Sequence, residues 1–333
     1  MTGAHIALVA RRIQGSAGPG CCDSSHWQNI LLRFGLHSRC LCDSVASLIQ
    51  SLANTPVDWP HIRALLANRL IALDKSPGVR PIGIGESLRR LIGKVVCFLT
   101  RDDAEAACGV SQLCAGLKCG AEGAIHMASD LFEAGGDSHG MLVMDAENAF
   151  NSINRTALLW NIRILWPRAS RFIFNTYRGW SPLIIKGYDM VLHSCEGVVQ
   201  GDPLSMFLYA LATLPLIDQL QTDPSITQLW YADDSSAIGC FSSLLLWFEN
   251  LQRIGPLFGY IPAPTKSHLI VKESMIGVAS SVFANTGINI VTSCRFLGGV
   301  IGDQSGRMSF VTHKVNEWTH YVELLSSVAK DQP

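Results

Sequence analysis

The sequence predicts an α+β fold, with helices packed on one face of a largely antiparallel sheet. Three observations predict it. Short apolar runs of strand length end at turn residues and face each other as hairpins, as in "PLIIKGYDMVLHSC" and "TQLWYADDSSAIG". Longer segments between them repeat apolar residues at helical spacing. With 48% hydrophobic residues in a chain of 333, there is enough apolar volume for one large core or two of ordinary size.

Taken in order, the opening "RRIQGSAGPGCCDSSHW" is rich in Gly, Ser and small residues and reads as a flexible lead before the first packed element. Helices follow over 38–53 and 59–68, the second entered through Asp58 as N-cap with Pro60 in its first turn. "RLIALDKSPGVRPIGIG" holds a short apolar run, a Pro-Gly turn and another extended piece, hence a two-stranded hairpin. From Glu86 onward, Leu88, Leu91, Ile92, Val95 and Val96 recur at helical spacing on a helix with a basic face. A helix near 121–134 leads to "GMLVMDAENAF", a short apolar strand that ends on Asp145. Helical segments over about 155–180 precede a hairpin that turns at Gly187 and Tyr188. "GDPLSMFLYALATLPLIDQL" is a buried helix starting just after a glycine, with Asp202 as N-cap and Pro203 at the first helical position. Next comes a hairpin turning at Asp233 and Asp234, then the helix "FSSLLLWFENLQRIG", the strand "HLIV" and the pair "INIVT" and "RFLGGVIG".

Composition excludes several classes. The 26 basic and 27 acidic residues leave a net charge of -1, so a nucleic-acid partner has to be argued from local clusters. Such a cluster lies between residues 69 and 101, where Arg69, Lys75, Arg80, Arg89, Arg90, Lys94 and Arg101 face only Asp74 and Glu86. Arg89 and Arg90 fit a solvated helix face as well as a template contact. The 11 cysteines are odd in number, in a large chain with no secretory signal before them, which predicts reduced thiols in an intracellular compartment, nucleus or cytoplasm left open. Cys21-Cys22 and Cys40-x-Cys42 near His37 lack the spacing of a structural zinc site. The longest apolar run, at 206–217, is shorter than the ~20 residues that span a bilayer, so no membrane partner is expected.

The acids carry the chemistry. Asp145 and Asp233 each end an apolar run, and if the two strands are neighbours in one sheet, these carboxylates meet with Asp234 at its edge. Like charges so placed repel unless divalent cations neutralise them. Hard oxygen donors suit Mg²⁺, which keeps waters and shares phosphate oxygens with a substrate. Two such ions can clamp the attacking and leaving oxygens of a phosphoryl transfer. Read alone, Asp233-Asp234 is more readily an ordinary polar turn, since Asp favours turns.

The surroundings decide between these readings. "YADD" in a hairpin, "LVMDAENAFNSI" upstream and "EGVVQGDPLSMFLYAL" between them resemble, in order and spacing, the palm motifs of reverse transcriptases. "DKSPGVRPIGIGESLRRLIGK", "PAPTKSHLIV" and "RFLGGVIG" extend the resemblance over roughly residues 69 to 301, and it is closest to polymerases of non-LTR (LINE-type) retrotransposons.

The resemblance implies a right-hand polymerase fold, its palm an antiparallel sheet packed on helices, with fingers intermixed and a short thumb. Residues 1–54 would be an N-terminal extension and helix, 55–301 fingers and palm, and 302–333 the start of a thumb or a C-terminal connection. It implies that Asp145, Asp233 and Asp234 are catalytic and, with the backbone carbonyl of Ala146, hold two Mg²⁺ ions, with Mn²⁺ as a substitute. It places Phe150 as a steric gate against a ribose 2′-hydroxyl, and Gln200 and Gly201 beside the templating base pair. Lys75 and Arg80 would meet the dNTP phosphates, Arg80 as a fork and Lys75 as a point charge. Lys266 matches a lysine near the triphosphate, and Gly298 and Gly299 match the primer grip. For each the plain structural role stands beside the implied one: Phe150 as a core aromatic, "QGDP" as a turn and helix start, Lys266 as a surface lysine, the two glycines as a bulge. The implied partners are an RNA template, a DNA or RNA primer and dNTPs. No endonuclease or RNase H signature is present, and the short thumb raises the expectation of a fragment or decayed copy ending at Pro333. Two alternatives stay open: an RNA-dependent RNA polymerase and a non-catalytic nucleic-acid-binding remnant.

Overall fold

A computed structural model describes residues 1–75 and 78–331. Pro77 of the expected Pro-Gly turn and Pro333 lie outside the described residues. In chain order the elements are α1 (Gly3–Ala10), α2 (Ser24–Leu32), α3 (Leu36–Asn54), α4 (Trp59–Ile62), β1 (Asn68–Asp74), β2 (Val79–Gly85), α5 (Ser87–Cys108), α6 (Leu113–Gly116) and α7 (Gly120–Ala134). There follow β3 (His139–Met144), α8 (Ala149–Ser152), α9 (Arg155–Leu165), α10 (Pro167–Tyr177), β4 (Ser181–Ile184), β5 (Val191–Ser194), α11 (Ser205–Leu220), β6 (Thr227–Tyr231) and β7 (Asp234–Cys240). The last are α12 (Phe241–Phe258), β8 (His268–Val271), α13 (Ile276–Val282), β9 (Asn289–Val291), β10 (Ser293–Phe296), β11 (Gly299–Gly302) and α14 (Gln304–Asp331).

The chain divides into two compact units. The first comprises Met1–Lys118, Ala146–Gln219 and Arg253–Ile261. Its helices form because apolar residues recur every three or four positions: α3 buries Cys42, Val45, Ala46, Ile49 and Leu52, and α5 buries Leu91, Ile92, Val95 and Val96. Its four-stranded sheet has the order β2-β1-β4-β5. The β1–β2 ladder is antiparallel from Asn68 opposite Gly85 to Asp74 opposite Val79, β1 lies parallel to β4, and β4 and β5 close as a hairpin with Ile184 opposite Val191.

The second unit comprises Cys119–Asp145, Leu220–Gln252 and Pro262–Pro333. Its five-stranded sheet runs β6-β7-β3-β8-β9, antiparallel except for the β8–β9 pair. Strand β3 is central, and Met141, Leu142 and Met144 are buried whichever face they take, as expected of a strand covered on both sides. Trp230, Trp247, Phe248 and Leu251 fill the same unit's core. Strands β10 and β11 form a separate hairpin, so the described strands make three sheets where the sequence suggested one.

Several expectations are corrected. The helix expected over 59–68 covers only Trp59–Ile62, because the β1–β2 ladder takes the chain from Asn68 onward, and Asp58 makes no side-chain cap. Helix α11 begins at Ser205 and not at Pro203; Asp202 instead closes the turn before it, its Oδ1 accepting from the Leu204 amide at 2.9 Å. "INIVT" and "RFLGGVIG" do not pair with each other: β9 lies parallel to β8, and "RFLGGVIG" folds back on itself.

The flexible lead is in fact a fastened strap. The Arg90 guanidinium donates to the Gln14 and Ser16 carbonyls, the Gly20 amide donates to Glu86 Oε1, and Ser87 Oγ donates to the Cys22 carbonyl. Small residues suggested mobility, yet polar side chains at the start of α5 satisfy the strap's backbone groups. Of the basic residues on α5, Arg89 is turned inward, whereas Lys94 and Arg101 are exposed. Arg89 is 5% exposed, pairs with Asp202 at 2.8 Å and lies 5.0 Å from the Phe172 ring centroid. Arg101 pairs with Glu105 at 3.7 Å. The basic surplus over 69–101 is therefore smaller on the surface than in the letters. Among the described residues the 11 cysteines form no disulfide.

Candidate active site

The site in the second unit is built by strand register. Met144 pairs with Ser235 as the last pair of the β3–β7 ladder, so Asp145 and Asp234 stand one step beyond its end on facing chains, close enough for the charge of Asp145 to act on Asp234. Residues directly opposite on adjacent strands bring their Cβ atoms to about 5 Å. Tyr231 pairs with Asp234 at the end of β6–β7, leaving Ala232 and Asp233 as a two-residue loop. The turn is thus shifted by one residue from the expected one: Asp234 opens β7 and does not form the loop. Ala232 has a φ of +54°, at the loop position where a two-residue hairpin favours glycine, so backbone strain is stored next to the acids.

Asp145 is held from the other side by the segment before β8. Its amide donates to Ser267 Oγ at 3.1 Å, its carbonyl accepts from the Ala263 amide at 2.8 Å, and Ser267 Oγ donates to the Ala263 carbonyl at 2.8 Å. Ser267 is fully buried. The sequence reading did not single it out; a serine directly before the apolar run "HLIV" was the available signal. The β3–β8 ladder ends at Val143 opposite His268, and exposed Lys266 ends the short 3-10 turn Pro264–Lys266 just before β8.

The electrostatics show that the three acids share one field. Asp234 is open to solvent on one side, yet the protein around it withholds enough water to push its carboxyl up to about 6; the charge of Asp233 and then that of Asp145 add to this. Among the described residues neither Asp145 nor Asp234 has an ion-pair partner. No three His, Cys, Asp or Glu side chains among the described residues are grouped to ligate one ion unaided. Carboxylate oxygens lacking a cation at a strained sheet edge fit a hard divalent ion that completes its shell with water, carbonyl or phosphate oxygens. Zinc-type clustering at Cys21, Cys22, Cys40 and Cys42 is absent among the described residues.

This coupling has a measurable consequence. The folded-state value of Asp234 lies above the ordinary carboxylate value of 3.8. Its contribution to stability is therefore fully present below pH 3.8 and is lost as pH rises through about 6. In metal-free buffer, Asp234→Asn is expected to match the wild-type melting temperature near pH 3.8 and to exceed it above pH 6. Melting curves that stay superimposed across that window would contradict the coupling.

The first unit carries the other predicted residues. The Gly83 amide of β2 donates to the Gln200 carbonyl at 3.1 Å. Gly201 has a φ of +111°, and a Cβ there would lie 2.7 Å from the Gly83 carbonyl oxygen, so only glycine permits this approach. Gln200, Pro81, Gly83, Asn148, Asn151 and Glu196 are among the residues lining a cavity of about 430 Å³. Arg80 lies on the same strand β2 and, like Lys75, is exposed. Phe150 is half-buried and stacks on Tyr209 with centroids 4.5 Å apart and planes 20° from parallel. Ala146 follows Asp145 directly. In the second unit, Leu297 and Gly298, with φ of +46° and +95°, form the tip of the β10–β11 hairpin, and Gly299 opens β11. Gly298 thus falls in the hairpin tip, while Gly299 lies in a strand as the sequence suggested for both. None of the described helices is long and apolar enough to cross a membrane.

No protein-family model matches the chain, and no curated protein matches it. Among solved structures it is similar to apo telomerase from Candida tropicalis truncated from its C-terminal domain, with a TM-score of 0.51 and 11% identity over 84% of this chain and 59% of that chain. It is also similar to telomerase from Candida tropicalis in complex with a TWJ fragment of telomeric RNA, with a TM-score of 0.47 and 14% identity over 72% of this chain and 45% of that chain. The chain thus spans 45% to 59% of the length of these structures. What it shares with the truncated apo telomerase is the fold, a polymerase-like arrangement of mixed helices and sheets.

Proposed function

We propose that the chain is an RNA-directed DNA polymerase of a retrotransposable element, which adds dNTPs to a primer 3′-hydroxyl on an RNA template. The observation that carries this reading is the register that brings Asp145 and Asp234 together one step beyond the end of the β3–β7 ladder, with Asp233 in the adjoining hairpin loop. The second unit would then be the palm, the β1–β2 hairpin part of the fingers, and α14 the beginning of a thumb.

Asp145 and Asp233 would hold two Mg²⁺ ions, with Mn²⁺ as a substitute, and Asp234 and the Ala146 carbonyl would assist. Bound there, the ions supply positive charge to the phosphate oxygens of the reaction. The chain's own part is positioning and charge. Ser267 fixes the backbone of Asp145, while Arg80 and Lys75 meet the triphosphate and Lys266 offers a proton to the leaving pyrophosphate. Gln200 and Gly201 support the templating base pair, and the Gly298–Gly299 hairpin steadies the primer end. Catalysis rests on holding the reacting groups in line rather than on a protein nucleophile.

Phe150 would act as the steric gate, and its stacking on Tyr209 supports that role, because a ring held flat cannot swing aside for a 2′-hydroxyl. Phe150→Ala is expected to raise rNTP use relative to dNTP use about tenfold or more, as expected for one steric contact in a pocket. The ratio of kcat/KM for the two substrates on a primed RNA template reads it, and an unchanged ratio removes Phe150 from this role. The same assay on the wild type separates the alternatives: preference for rNTPs would make the protein an RNA-copying RNA polymerase, and no extension would make it a binding remnant.

A further inference from the structure

The stretch from Asn148 to Tyr188 contains six basic residues, Arg155, Arg163, Arg168, Arg171, Arg178 and Lys186, and no acidic one. Arg155 is buried and Arg168 pairs with Asp103 at 2.6 Å. Arg163, Arg171 and Arg178, on or just after α9 and α10, are exposed and have no carboxylate partner among the described residues. Each lies against an aromatic ring instead. Arg163 is 5.9 Å from the Trp160 centroid, and Arg171 and Arg178 are 5.7 and 5.4 Å from that of Phe174.

The rings are themselves open. Trp160 is 63% exposed and Phe174 39%. Between them lies an open cavity of about 620 Å³, lined by Ala157, Asn161, Arg163 and Phe258 as well as by both rings. Arg178 also lines a separate groove with Asp58 and Trp59, where Asp58 forms no ion pair among the described residues. Two aliphatic side chains, Ile164 and Leu257, are also exposed nearby. A guanidinium resting on a ring still has N–H edges for phosphate oxygens, while the open side of the ring accepts a base. Arg178 also donates from Nη2 to the Val57 carbonyl and keeps its other N–H groups. Arginines without a carboxylate partner, interleaved with exposed rings, match a polyanion with stacking faces, and a duplex would keep its bases stacked away from such rings.

We propose that this face of the first unit is a binding surface for single-stranded RNA, with bases stacking on Trp160 and Phe174 and phosphates met by Arg163, Arg171 and Arg178. It is separate from the residues assigned above to nucleotide addition.

The test is fluorescence anisotropy of the full chain with a labelled single-stranded oligoribonucleotide of about 12 nucleotides, a length suited to such surfaces, over a range of salt and with no nucleotide added. Because the readout is binding, its failure and the failure of the polymerase reading are distinct results. Trp160→Ala combined with Arg163→Ala and Arg171→Ala is expected to weaken binding about tenfold or more and to flatten the salt dependence by about one unit of slope. All three side chains are exposed, so the fold is retained. Trp160→Phe, which keeps a stacking ring, is expected to retain most of the affinity. The same RNA annealed to its complement should bind more weakly and lose less in the triple variant. Equal affinity of wild type and triple variant overturns the proposal, as does a preference for an acidic peptide over the RNA.

Discussion

Asp233→Ala is expected to abolish primer extension, lowering the rate on a primed RNA template by about a thousandfold or more, the scale seen when one preorganised electrostatic group is lost. Asp145→Ala should do the same. Both residues belong to a sheet edge that the fold provides without them: β3 and β7 are paired over six residue positions before either acid is reached. The substitution should therefore leave the sheet intact. It also removes one of the charges that push Asp234 up, so in metal-free buffer at neutral pH the melting temperature should not fall. Loss of extension with an undiminished melting temperature assigns the effect to chemistry. Extension at the wild-type rate by either variant would end the proposal that these acids hold the ions.

The second large effect is on stability. Arg155 is 5% exposed and spends all five guanidinium N–H groups inside the first unit. Nε donates to the Gly197 carbonyl at 3.0 Å, Nη1 to the carbonyls of Ser194 at 2.9 Å and Gly179 at 3.3 Å, and Nη2 to the Glu196 carbonyl at 2.7 Å and Ser194 Oγ at 2.9 Å. Burial pulls its pKa down, and the Tyr177 ring lies 5.7 Å away. Arg155→Ala would leave one buried and several part-buried acceptors without their donors and open a cavity, at a cost of about 3–5 kcal/mol. Urea unfolding measures this, and a loss under about 1 kcal/mol would show that water replaces the guanidinium. Arg155→Lys should recover little, because a single ammonium cannot reach acceptors spread over two separate segments, Gly179 and residues 194–197. These carbonyls precede Gln200 and Gly201, so the variant should also disturb that turn.

Legibility followed the range of the interactions. The β1–β2, β4–β5 and β6–β7 hairpins, the stripe of α5 and the strand ending at Asp145 depend on neighbours a few residues away, and alternation, spacing and turn residues are enough to mark them. Misreadings occurred where a distant partner overrode local composition. The Gly-rich strap was called mobile because its fasteners, Glu86, Ser87 and Arg90, lie about 65 to 75 residues away. Arg89 looked like a surface charge because Asp202, which draws it inside, lies 113 residues further on.

What the sequence alone determined is where the chain turns and which short runs become strands, because backbone preference and hydrophobic period are local properties. It thereby put Asp145 at the end of an apolar strand, one residue beyond where β3 stops, and the Asp233–Asp234 pair at a hairpin. The tertiary structure decided that β3 lies between β7 and β8, that the β3–β7 ladder runs up to the residues just before Asp145 and just after Asp234, and that buried Ser267 holds the Asp145 backbone in place. Strand order and register come from packing both faces of a sheet against residues far apart in the chain, and that selection leaves no mark in any one window of letters.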